Sequence, residues 1–445
     1  MKSGVFFLMV LLGHGGVGAG DFQQAYEAAL LNDATYRAAR AEFASAQQNA
    51  PMAFSGLLPN VSLSLSDSQV NGSRTQDNSL GQPVTSPLDY RAPVQSLNIR
   101  APLFNREATQ KYQLAQAQVE YAKAIFVTRT ADLLDRLATA YLQRWLAEHA
   151  VLTAGVQVQA SQAQSDWAHR RFQLGEGTRP EVAEADAALD MAHVLLLEAQ
   201  DQRGLATLAL GHISGSAHAL RKTMAEDAAS VILLTDLPKV NAPLAELIIQ
   251  ADASNPNIAA RRHAVQLAQL AVARNESGHY PRLDLVASAS SSRNESLSSL
   301  NQSAEQRSVG LQLNLPLYSG GYVRASVAQA LADQDKAEAE LVAEQQMVAR
   351  ELTKLYFSVT HGPNKLQSMQ KAVESAKLML DGAHKGSLTG FNTQTDVVLG
   401  QRKLAQAQHD LVQSIQEYLL AHMRFLAQIG AEPVQAVALM DALLN

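Results

Sequence analysis

The feature that most constrains this fold is a very long helical pattern. Residues 105–174 contain no proline, and Gly155 is the single glycine among them. At about 1.5 Å rise per residue, ~70 helical residues extend on the order of 105 Å, which a compact globular core does not require. A second stretch, residues 322–388, is interrupted only near residues 361–363. Small residues recur along both stretches, so we predict closely packed helices in a coiled-coil-like assembly.

Shorter segments beside these helices alternate between apolar and polar residues. In residues 58–67, valine and leucine alternate with serine. The same alternation occurs in residues 93–104, 280–290 and 308–318. A period of two with one apolar face is typical of a half-buried strand, and about ten residues are enough for a tilted strand to cross a bilayer. The intervening segments 68–92 and 291–307 are rich in Ser and Asn, so we predict that they are solvated loops.

The two halves of the chain follow the same pattern. Gly175 corresponds to Gly390, and Glu181 corresponds to Asp396. We therefore predict an internal two-fold repeat, in which each half contains a helix, two strands, a long helix and a shorter helix. The predicted boundaries are residues 20–214 for the first repeat, 215–242 for a linker, 243–432 for the second repeat and 433–445 for a C-terminal tail. The predicted shorter helices cover residues 178–213 and 392–430.

The N-terminal residues predict export from the cytoplasm. Lys2 precedes a short apolar run, and residues 17–19 are the small residues of a cleavage site, so residues 1–19 are predicted to be a secretory signal peptide. The chain contains no cysteine, which excludes a disulfide framework, a thiolate metal site and a lipid anchor on an N-terminal cysteine. The formal net charge of −6 gives no electrostatic footprint for nucleic acid.

Five blocks of sequence carry a family resemblance. The most specific are NIRAPLF at residues 98–104 and GLQLNLPLYSGG at residues 310–321. The others are the turn segments 171–175 and 386–390 and the helix start at 395–399. Together these blocks resemble the TolC family of outer-membrane efflux and type I secretion ducts. The resemblance covers nearly the whole chain after the signal peptide.

This resemblance implies a mostly α fold, in which a long α-helical coiled-coil barrel continues a transmembrane antiparallel β-barrel. Each protomer is expected to contribute four strands to a twelve-stranded barrel closed by a homotrimer. The strand pattern favours trimerisation independently, because a four-stranded sheet alone would leave two unpaired edges in lipid. The implied function is passive exit through outer-membrane lipid, for substrates handed over by an ABC or RND-type inner-membrane pump and a periplasmic adaptor protein. No cofactor is expected.

The family narrows its periplasmic end with an acidic ring, and Asp396 matches one ring position. The second ring position, one helical turn further, is Leu399 here, so half of the acidic ring is missing. Three copies of Asp396 would still favour cations in the pore. Asp396 could equally stabilise the N-terminal dipole of its helix, and its counterpart Glu181 is also acidic. The sequence leaves both interpretations open.

The polar contacts with which the family locks this end are not preserved. Ser387 and Asn392 occupy the positions of the family's lock tyrosine and arginine. The positions of their first-half partners hold Pro180 and Glu181. We therefore predict a different lock, in which Arg179 pairs with one of the two acidic side chains near the turns.

Glycines mark the two predicted helix–helix turns, where a positive φ angle permits a tight reversal. By the resemblance, these turns are the periplasmic tips that meet the adaptor protein. The predicted docking residues are Leu174, Gly175, Gly177, Thr389 and Gly390. At the other end of the long helices, Pro102 and Pro316 directly follow their predicted strands. Proline there is typical of a strand stop and predicts the barrel-to-helix transition.

The rest of the sequence suggests neither catalysis nor a metal centre. The histidines lack the company of further metal ligands, and no Ser/His/Asp set stands out, so we predict a non-enzymatic protein without a metal site. Within the duct function, drug efflux and type I protein secretion stay open as alternatives. The rival function from another class is a soluble periplasmic coiled-coil scaffold without channel activity.

Overall fold

A computed structural model describes residues 21–215, 240, 242–294, 302–389 and 391–444. The predicted signal peptide 1–19, Gly390 and nearly all of the predicted linker 215–242 lie outside these residues. The first half of the described chain forms α1 (Asp21–Asn32), α2 (Ala34–Gln47), α3 (Asn49–Ser55), β1 (Asn60–Asp77), β2 (Pro83–Asn105), α4 (Arg106–Gln173) and α5 (Arg179–Ser214). The second half forms α6 (Leu244–Ser254), α7 (Pro256–Glu276), a 3-10 helix (Ser277–His279), β3 (Arg282–Asn294), β4 (Gln302–Asn314), α8 (Tyr322–Thr389), α9 (Gln394–Gln428) and α10 (Pro433–Leu444).

These elements confirm a mostly α-helical fold with an antiparallel four-stranded sheet, in the order β1-β2-β3-β4. Helices, two strands, a long helix and a shorter helix follow one another in both halves. The structural equivalence of the two halves stays a prediction. Among the described residues, no helix combines the length and the apolar character needed to cross a membrane.

The hairpin of β1 and β2 is much longer than predicted. The predicted strands 58–67 and 93–104 are parts of β1 and β2, which pair without interruption along the whole of β1. The prediction that residues 68–92 form a loop is therefore wrong. The two strands are connected by residues 78–82, where Gly81 has a φ angle of 72°.

Cross-strand pairing explains why these polar residues form strands. Gln69 Nε2 donates to Asp89 Oδ1 at 2.6 Å, and the hydroxyl oxygens of Thr75 and Thr85 lie 2.7 Å apart. Such pairs stabilise neighbouring strands even where both faces are wet. A composition rich in Ser, Asn and Thr therefore does not distinguish a solvated hairpin from a loop.

The second pair of strands is displaced from its predicted position. The predicted strands 280–290 and 308–318 correspond to β3 and β4, and both strands extend into the predicted loop 291–307. Residues 295–301 lie outside the described residues. Residues 315–318, predicted as the end of a strand, follow β4 without belonging to it.

The long helix α8 runs without a break through Pro363, where the sequence predicts an interruption. An internal proline removes one helical hydrogen bond and costs about 3 kcal/mol, so local packing must offset this cost. Gly362 permits that packing, because a Cβ atom there would lie 2.2 Å from Cδ2 of the Tyr418 ring on α9. Val359 and Leu366, on the turns either side, are 2% and 1% exposed. The close approach of α8 and α9 therefore holds the helix intact.

The chain divides into two compact units. The first comprises Met1–Arg40, Val127–Pro256 and Gln345–Asn445, and the second comprises Ala41–Phe126 and Asn257–Glu344. The core of the first unit contains fully buried apolar side chains from most of its helices. These include Phe22, Leu133, Leu137, Tyr141, Leu352, Leu419 and Met440.

A buried ion pair supports the core of the first unit. Asp33 is 4% exposed, and its Oδ2 atom lies 2.9 Å from Nη1 of Arg136 on α4. Asp33 also accepts the backbone N–H of Tyr36 at 2.6 Å, which caps the start of α2. The hydrogen bond from Arg136 is the main reason that the pKa of Asp33 lies below its usual value.

The predicted C-terminal tail is helical and closes the first unit. α10 begins at Pro433, a residue favoured in the first turn of a helix. The carboxylate of Asp441 accepts the backbone N–H groups of Phe22 and Gln23, each at 3.1 Å. The end of the chain therefore caps its first described helix.

The second unit contains the sheet and the helical segments beside it. Phe43 and Phe126 stack with ring centroids 5.4 Å apart, and Arg261 of α7 bonds to Glu340 of α8 at 2.8 Å. At the junction with the sheet, the guanidinium of Arg106 lies over the Tyr280 ring. Aromatic and ionic contacts thus attach these helices to one another beside the sheet.

We expect Gly362→Ala to lower the free energy of unfolding by about 1–3 kcal/mol, the range for overpacking a filled site, because the added methyl group would overlap the Tyr418 ring. The matched control is Gly382→Ala on the same helix, where a Cβ meets no atom within 4 Å and the higher helix propensity of alanine favours stabilisation. Thermal unfolding of the purified protein in detergent, followed by circular dichroism, measures both effects. Equal stability of the two variants would refute the close contact.

Candidate functional site

The turn between α4 and α5 is short and closely bonded. Gly175 has a φ angle of 81°, and the backbone N–H of Glu176 donates to the Arg171 carbonyl at 2.9 Å. Gly177 lies so near the end of α4 that a Cβ would be 3.0 Å from the Phe172 backbone nitrogen. The geometry of the turn therefore accounts for glycine at both positions. No contact with a partner protein is needed to explain them.

A capping box starts α5. Thr178 Oγ1 accepts the backbone N–H of Glu181 at 3.4 Å, and the Glu181 carboxylate accepts the backbone N–H of Thr178 at 3.1 Å. These reciprocal bonds satisfy two donors that the first turn of a helix leaves free. Pro180 fits the same turn because its missing N–H is one that no helical carbonyl would bond. Arg179 is exposed at the first helical position.

The start of α9 uses the same device. Thr393 Oγ1 accepts the backbone N–H of Asp396 at 3.3 Å, and Asp396 Oδ2 accepts both the backbone N–H and the hydroxyl of Thr393 at 2.8 Å. The backbone N–H, followed by the hydroxyl, holds the pKa of the exposed Asp396 carboxyl below its usual value. Asp396 is therefore negatively charged at neutral pH.

The turn between α8 and α9 packs its polar side chains onto the last turn of α8. Thr389 Oγ1 donates to the Lys385 and Gly386 carbonyls at 3.2 and 3.1 Å. The backbone N–H of Asn392 donates to the Gly386 carbonyl at 3.2 Å. The Asn392 side chain covers Gly386 so closely that a Cβ there would lie 2.7 Å from Asn392 Cγ. Ser387 is half-buried beside this contact.

The two candidate pore carboxylates occupy equivalent positions. Glu181 and Asp396 are each the third residue of their helix, and each binds the first turn of that helix. Both carboxylates therefore cap the starts of their helices, while dipole stabilisation and a role of Asp396 in a pore ring stay predictions. Pairing of Arg179 with either carboxylate also stays a prediction, because within one protomer the capping threonines bind them. Leu399 is 49% exposed one turn beyond Asp396.

Both turns expose large apolar side chains. Leu174 is 75% exposed and Phe391 is 91% exposed. Exposed apolar side chains contribute to many contact surfaces, so we regard these two residues as docking candidates. Sequence reasoning included Leu174 but missed Phe391, although an aromatic residue within a turn is a recognisable signal. The docking role of the turns stays a prediction.

Two polar side chains of α4 contact one carboxylate of α5 close to the first turn. Asp186 of α5 accepts the Ser165 hydroxyl at 2.6 Å and lies 3.1 Å from Nε2 of His169, both on α4. The serine bond, with the imidazole bond second, holds the pKa of Asp186 below its usual value. On the same stretch of α4, the Arg171 guanidinium lies over the Trp167 ring at 4.8 Å. These contacts fix the ends of both helices and support the turn.

A buried carboxylate lies where the sheet meets the helices. Asp284 of β3 is 1% exposed and accepts the guanidinium groups of Arg100 at 2.7 Å and Arg282 at 2.9 Å. Pro102 lies opposite Asp284, at a shift in the β2–β3 register. The prediction that Pro102 directly follows its strand is wrong, because this irregularity lets β2 continue to Asn105.

The two strand-to-helix connections differ. β2 leads directly into α4, whose start is capped by Asn105 Oδ1 accepting the Ala108 backbone N–H at 3.0 Å. β4 leads into α8 through residues 315–321, which include Pro316 and end at Gly321 with a φ angle of 83°. A barrel-to-helix role stays a prediction for both prolines. Sequence reasoning missed Asp284, although a charged residue on the polar face of an alternating strand was visible.

The sheet has one apolar and one polar face. The apolar side chains at alternate positions are largely exposed. They include Val61, Leu63, Leu65, Val309, Leu311 and Leu313, each at least 61% exposed. The intervening positions carry mainly serine, asparagine and glutamine. In the described sheet, β1 and β4 are edge strands with one row of unpaired backbone groups each. Such a sheet requires apolar surroundings for one face and further strands for its edges.

The family model described as outer membrane efflux protein matches residues 25–216 and 247–431. The proteases secretion protein PrtF of Dickeya chrysanthemi is 28% identical over 431 residues, which cover 96% of this chain and 92% of the relative. The alkaline protease secretion protein AprF of Pseudomonas aeruginosa is 28% identical over 406 residues, covering 91% and 83%. The outer membrane protein TolC of Escherichia coli is 24% identical over 423 residues, covering 93% and 82%.

Solved structures share the same fold. The outer membrane protein VceC of Vibrio cholerae aligns with a TM-score of 0.71 at 18% identity, covering 92% of this chain and 96% of that structure. The outer membrane channel CmeC of Campylobacter jejuni aligns with a TM-score of 0.76 at 14% identity, covering 96% and 90%.

We expect Val309→Arg to prevent stable membrane insertion, because a cationic side chain on a lipid-facing strand position costs about 2–4 kcal/mol near the bilayer midplane. The matched control is Ser308→Arg, a neighbour on the opposite face of β4, which should insert normally. The measurement is the amount of heat-modifiable oligomer in the membrane fraction. Equal insertion of both variants would contradict the assignment of the apolar face to lipid.

Proposed function

Because this chain belongs to the outer membrane efflux protein family, we propose that it works as the outer-membrane duct of a type I protein secretion system. It is an export channel of the outer membrane that extends into the periplasm and acts as a homotrimer. Its substrates pass from an inner-membrane pump through a periplasmic adaptor protein. The type I branch is supported by PrtF and AprF, which are named for protease secretion and match 96% and 91% of this chain.

The sheet carries the structural part of this proposal. Two open edges and an exposed apolar face are costly in water, and open edges are not tolerated in lipid. Three protomers with four strands each give twelve strands, an even number within the range of outer-membrane barrels. Closure in this way pairs every edge and surrounds a lumen with the polar face.

The rival functions explain fewer of the features of the sheet and of the relatives. A soluble periplasmic scaffold leaves the apolar face of the sheet without a purpose and is foreign to a family of outer membrane efflux proteins. Small-molecule efflux fits the same duct, since the toluene efflux pump outer membrane protein TtgI of Pseudomonas putida is 24% identical to 74% of this chain. The higher identity and fuller coverage of the two protease secretion proteins favour a polypeptide substrate.

Secretion in a host strain tests the substrate class. In a bacterium that retains the protease, the pump and the adaptor of a type I system but lacks its outer-membrane duct, this chain should restore extracellular protease activity. The Val309→Arg variant is the negative control, because it should not insert. Planar-bilayer conductance of the purified trimer is measured in parallel. Conductance without protease release would refute the type I proposal, whereas absence of conductance would refute the channel itself.

We further propose that three copies of Asp396 form a cation-binding constriction. Asp396→Asn should lower the cation-to-anion permeability ratio and weaken block by a trivalent cation applied from the periplasmic side, because the ring would lose its charge. Glu181→Gln is the matched control, since Glu181 holds the same capping position on α5 and should leave both properties unchanged. The lowered pKa of Asp396 predicts that block persists until the pH falls below the usual aspartate value of 3.8. If Asp396→Asn changed neither the permeability ratio nor the block, the Asp396 carboxylate would serve its helix alone and the proposed constriction would be refuted.

A further inference from the structure

The polar face of the sheet carries few charges, and most of them are positive. In the proposed channel this face lines the lumen, and its residues are the even-numbered positions of the four strands. Serine, asparagine and glutamine predominate at these positions. The charged residues among them are Arg74, Arg100, Arg282 and Asp284. In the described strands, the lumen face therefore carries three arginines and a single carboxylate.

The opposite face of the sheet has a different balance of charge. Acidic and basic residues alternate there at odd-numbered positions, and the acidic ones are in excess. They are Asp67, Asp77, Asp89 and Glu305, together with Arg91, Arg293 and Arg307. The whole chain has a formal net charge of −6. An excess of positive charge is therefore a property of the lumen face and does not follow from the composition of the chain.

Three of the four charges on the lumen face form one cluster near the junction with the helices. Arg74 lies apart from them in the β1–β2 extension, residues 67–93, where these two strands continue beyond their pairing with β3. Arg100 of β2 and Arg282 of β3 both bind Asp284 of β3. Since β2 and β3 are the central strands of the sheet, closure of a trimer through β1 and β4 would not cover this cluster.

Two guanidinium groups share the one carboxylate. Asp284 Oδ2 accepts hydrogen bonds from Nε and Nη2 of Arg100 at 2.9 and 2.7 Å, and it lies 2.9 Å from Nε of Arg282. A single arginine would already neutralise this carboxylate, so a purely structural ion pair does not require the second. Each protomer therefore retains one uncompensated positive charge at this level of the sheet, and a trimer retains three.

The two arginines are accessible, whereas the carboxylate is not. Asp284 is 1% exposed, while the side chains of Arg100 and Arg282 are 49% and 42% exposed. The bonds to Asp284 occupy only part of the N–H donors of each guanidinium group. Among the described residues, the other donors of these two arginines have no protein acceptor. The buried carboxylate thus holds two guanidinium groups in place and leaves donors on both for a ligand.

We propose that Arg100 and Arg282 form a carboxylate-binding ring in the lumen, near the periplasmic end of the barrel, which contacts acidic side chains of a polypeptide in transit. The inference rests on the proposed trimeric type I channel and adds a feature of its substrate. Guanidinium groups bind carboxylates through charge-assisted, often bidentate hydrogen bonds, and rings of arginine attract anions in pores. The low-dielectric wall of a barrel strengthens the field of such a ring.

The ring would bind the passing chain without arresting it. Its guanidinium groups are half-exposed to water and their field is screened by salt, so each contact with a carboxylate is weak and reversible. Between the cluster and the extension, the lumen face of the described strands carries no other charge, so no second site competes for the acidic side chains. Acidic segments would therefore enter the barrel more readily than basic ones.

Block of the wild-type channel by poly-L-glutamate tests the ring. The peptide is applied from the extracellular side, from which it reaches the barrel before the helices. At about 0.1 M salt it should interrupt the planar-bilayer current, and the block should fade at about 1 M salt, because the Debye length falls from about 10 Å to about 3 Å. A wild-type channel that conducts but is not blocked by poly-L-glutamate at low salt would overturn the proposal.

Variants assign the block to the cluster. Arg100→Gln should raise the poly-L-glutamate concentration for half block severalfold, because Arg282 then only compensates Asp284, whereas Arg100→Lys keeps the charge and should retain the block. Arg282→Gln leaves Arg100 on the carboxylate and should act like Arg100→Gln. The matched control is Arg91→Gln on the same strand, since Arg91 is paired with Asp67 on the opposite face and its loss should leave the block unchanged. The yield of heat-modifiable trimer shows which variants assemble.

The ring and the channel can fail separately. Equal half-block concentrations for the wild type, Arg100→Gln and Arg282→Gln would refute the ring, as would an equal rise in Arg91→Gln. Conductance and protease release without block by poly-L-glutamate would refute the ring and leave the proposed function intact. Absence of conductance in the wild type would refute the channel and the ring with it.

Discussion

Pairing of backbone groups at the two open edges of the sheet is the constraint on which the rest of the structure depends. β1 and β4 each present one row of unpaired N–H and C=O groups, and lipid offers these groups no alternative partner. In the proposed trimer, closure of the sheet into a barrel satisfies these groups and makes the serine-rich face the lining of a lumen. α4 follows β2 without an intervening residue. Three sheets joined in one barrel would therefore also bring three copies of α4 together. Asn105 makes this direct connection possible by ending the strand and capping the helix. Asp284, with the guanidinium groups of Arg100 and Arg282, adds a charged contact at the same level.

In the helical part, the residues with proposed roles in transport also have structural roles. Glu181 and Asp396 complete capping boxes at the starts of α5 and α9, so each carboxylate is held at a defined position. A ring built from such residues needs no additional support, because the helix that carries the carboxylate also orients it. Only a comparison between the two equivalent positions can separate a pore role from a capping role. The same holds for the glycines of the turns. The backbone conformation accounts for glycine at these positions, whether or not an adaptor protein binds there.

Local periodicity made much of this fold predictable, and non-local packing accounts for what was missed. Helical spacing identified α4 and α8, and the period of two identified all four strands, because both signals lie within a few neighbouring residues. The sequence of the β1–β2 extension predicts a loop, because cross-strand pairs such as Thr75 with Thr85 become visible only when the two strands are aligned. The break predicted at Pro363 failed because the Tyr418 ring, distant in sequence, packs against Gly362. Asp284 and Phe391 were missed for the same reason, as burial and exposure depend on the whole fold.

The exchange of polarity along one hairpin links these observations to the direction of transport. The apolar face of a strand indicates the side that contacts lipid. On this face the apolar residues give way to the ion pair of Asp67 and Arg91, which marks the outer limit of the lipid-facing region. Beyond it, the two strands stay paired as far as Asp77 and Pro83, and both faces carry polar side chains. The length of β1 and β2 is therefore set by cross-strand pairs such as Gln69 with Asp89 and Thr75 with Thr85, which stabilise the hairpin in water beyond the bilayer.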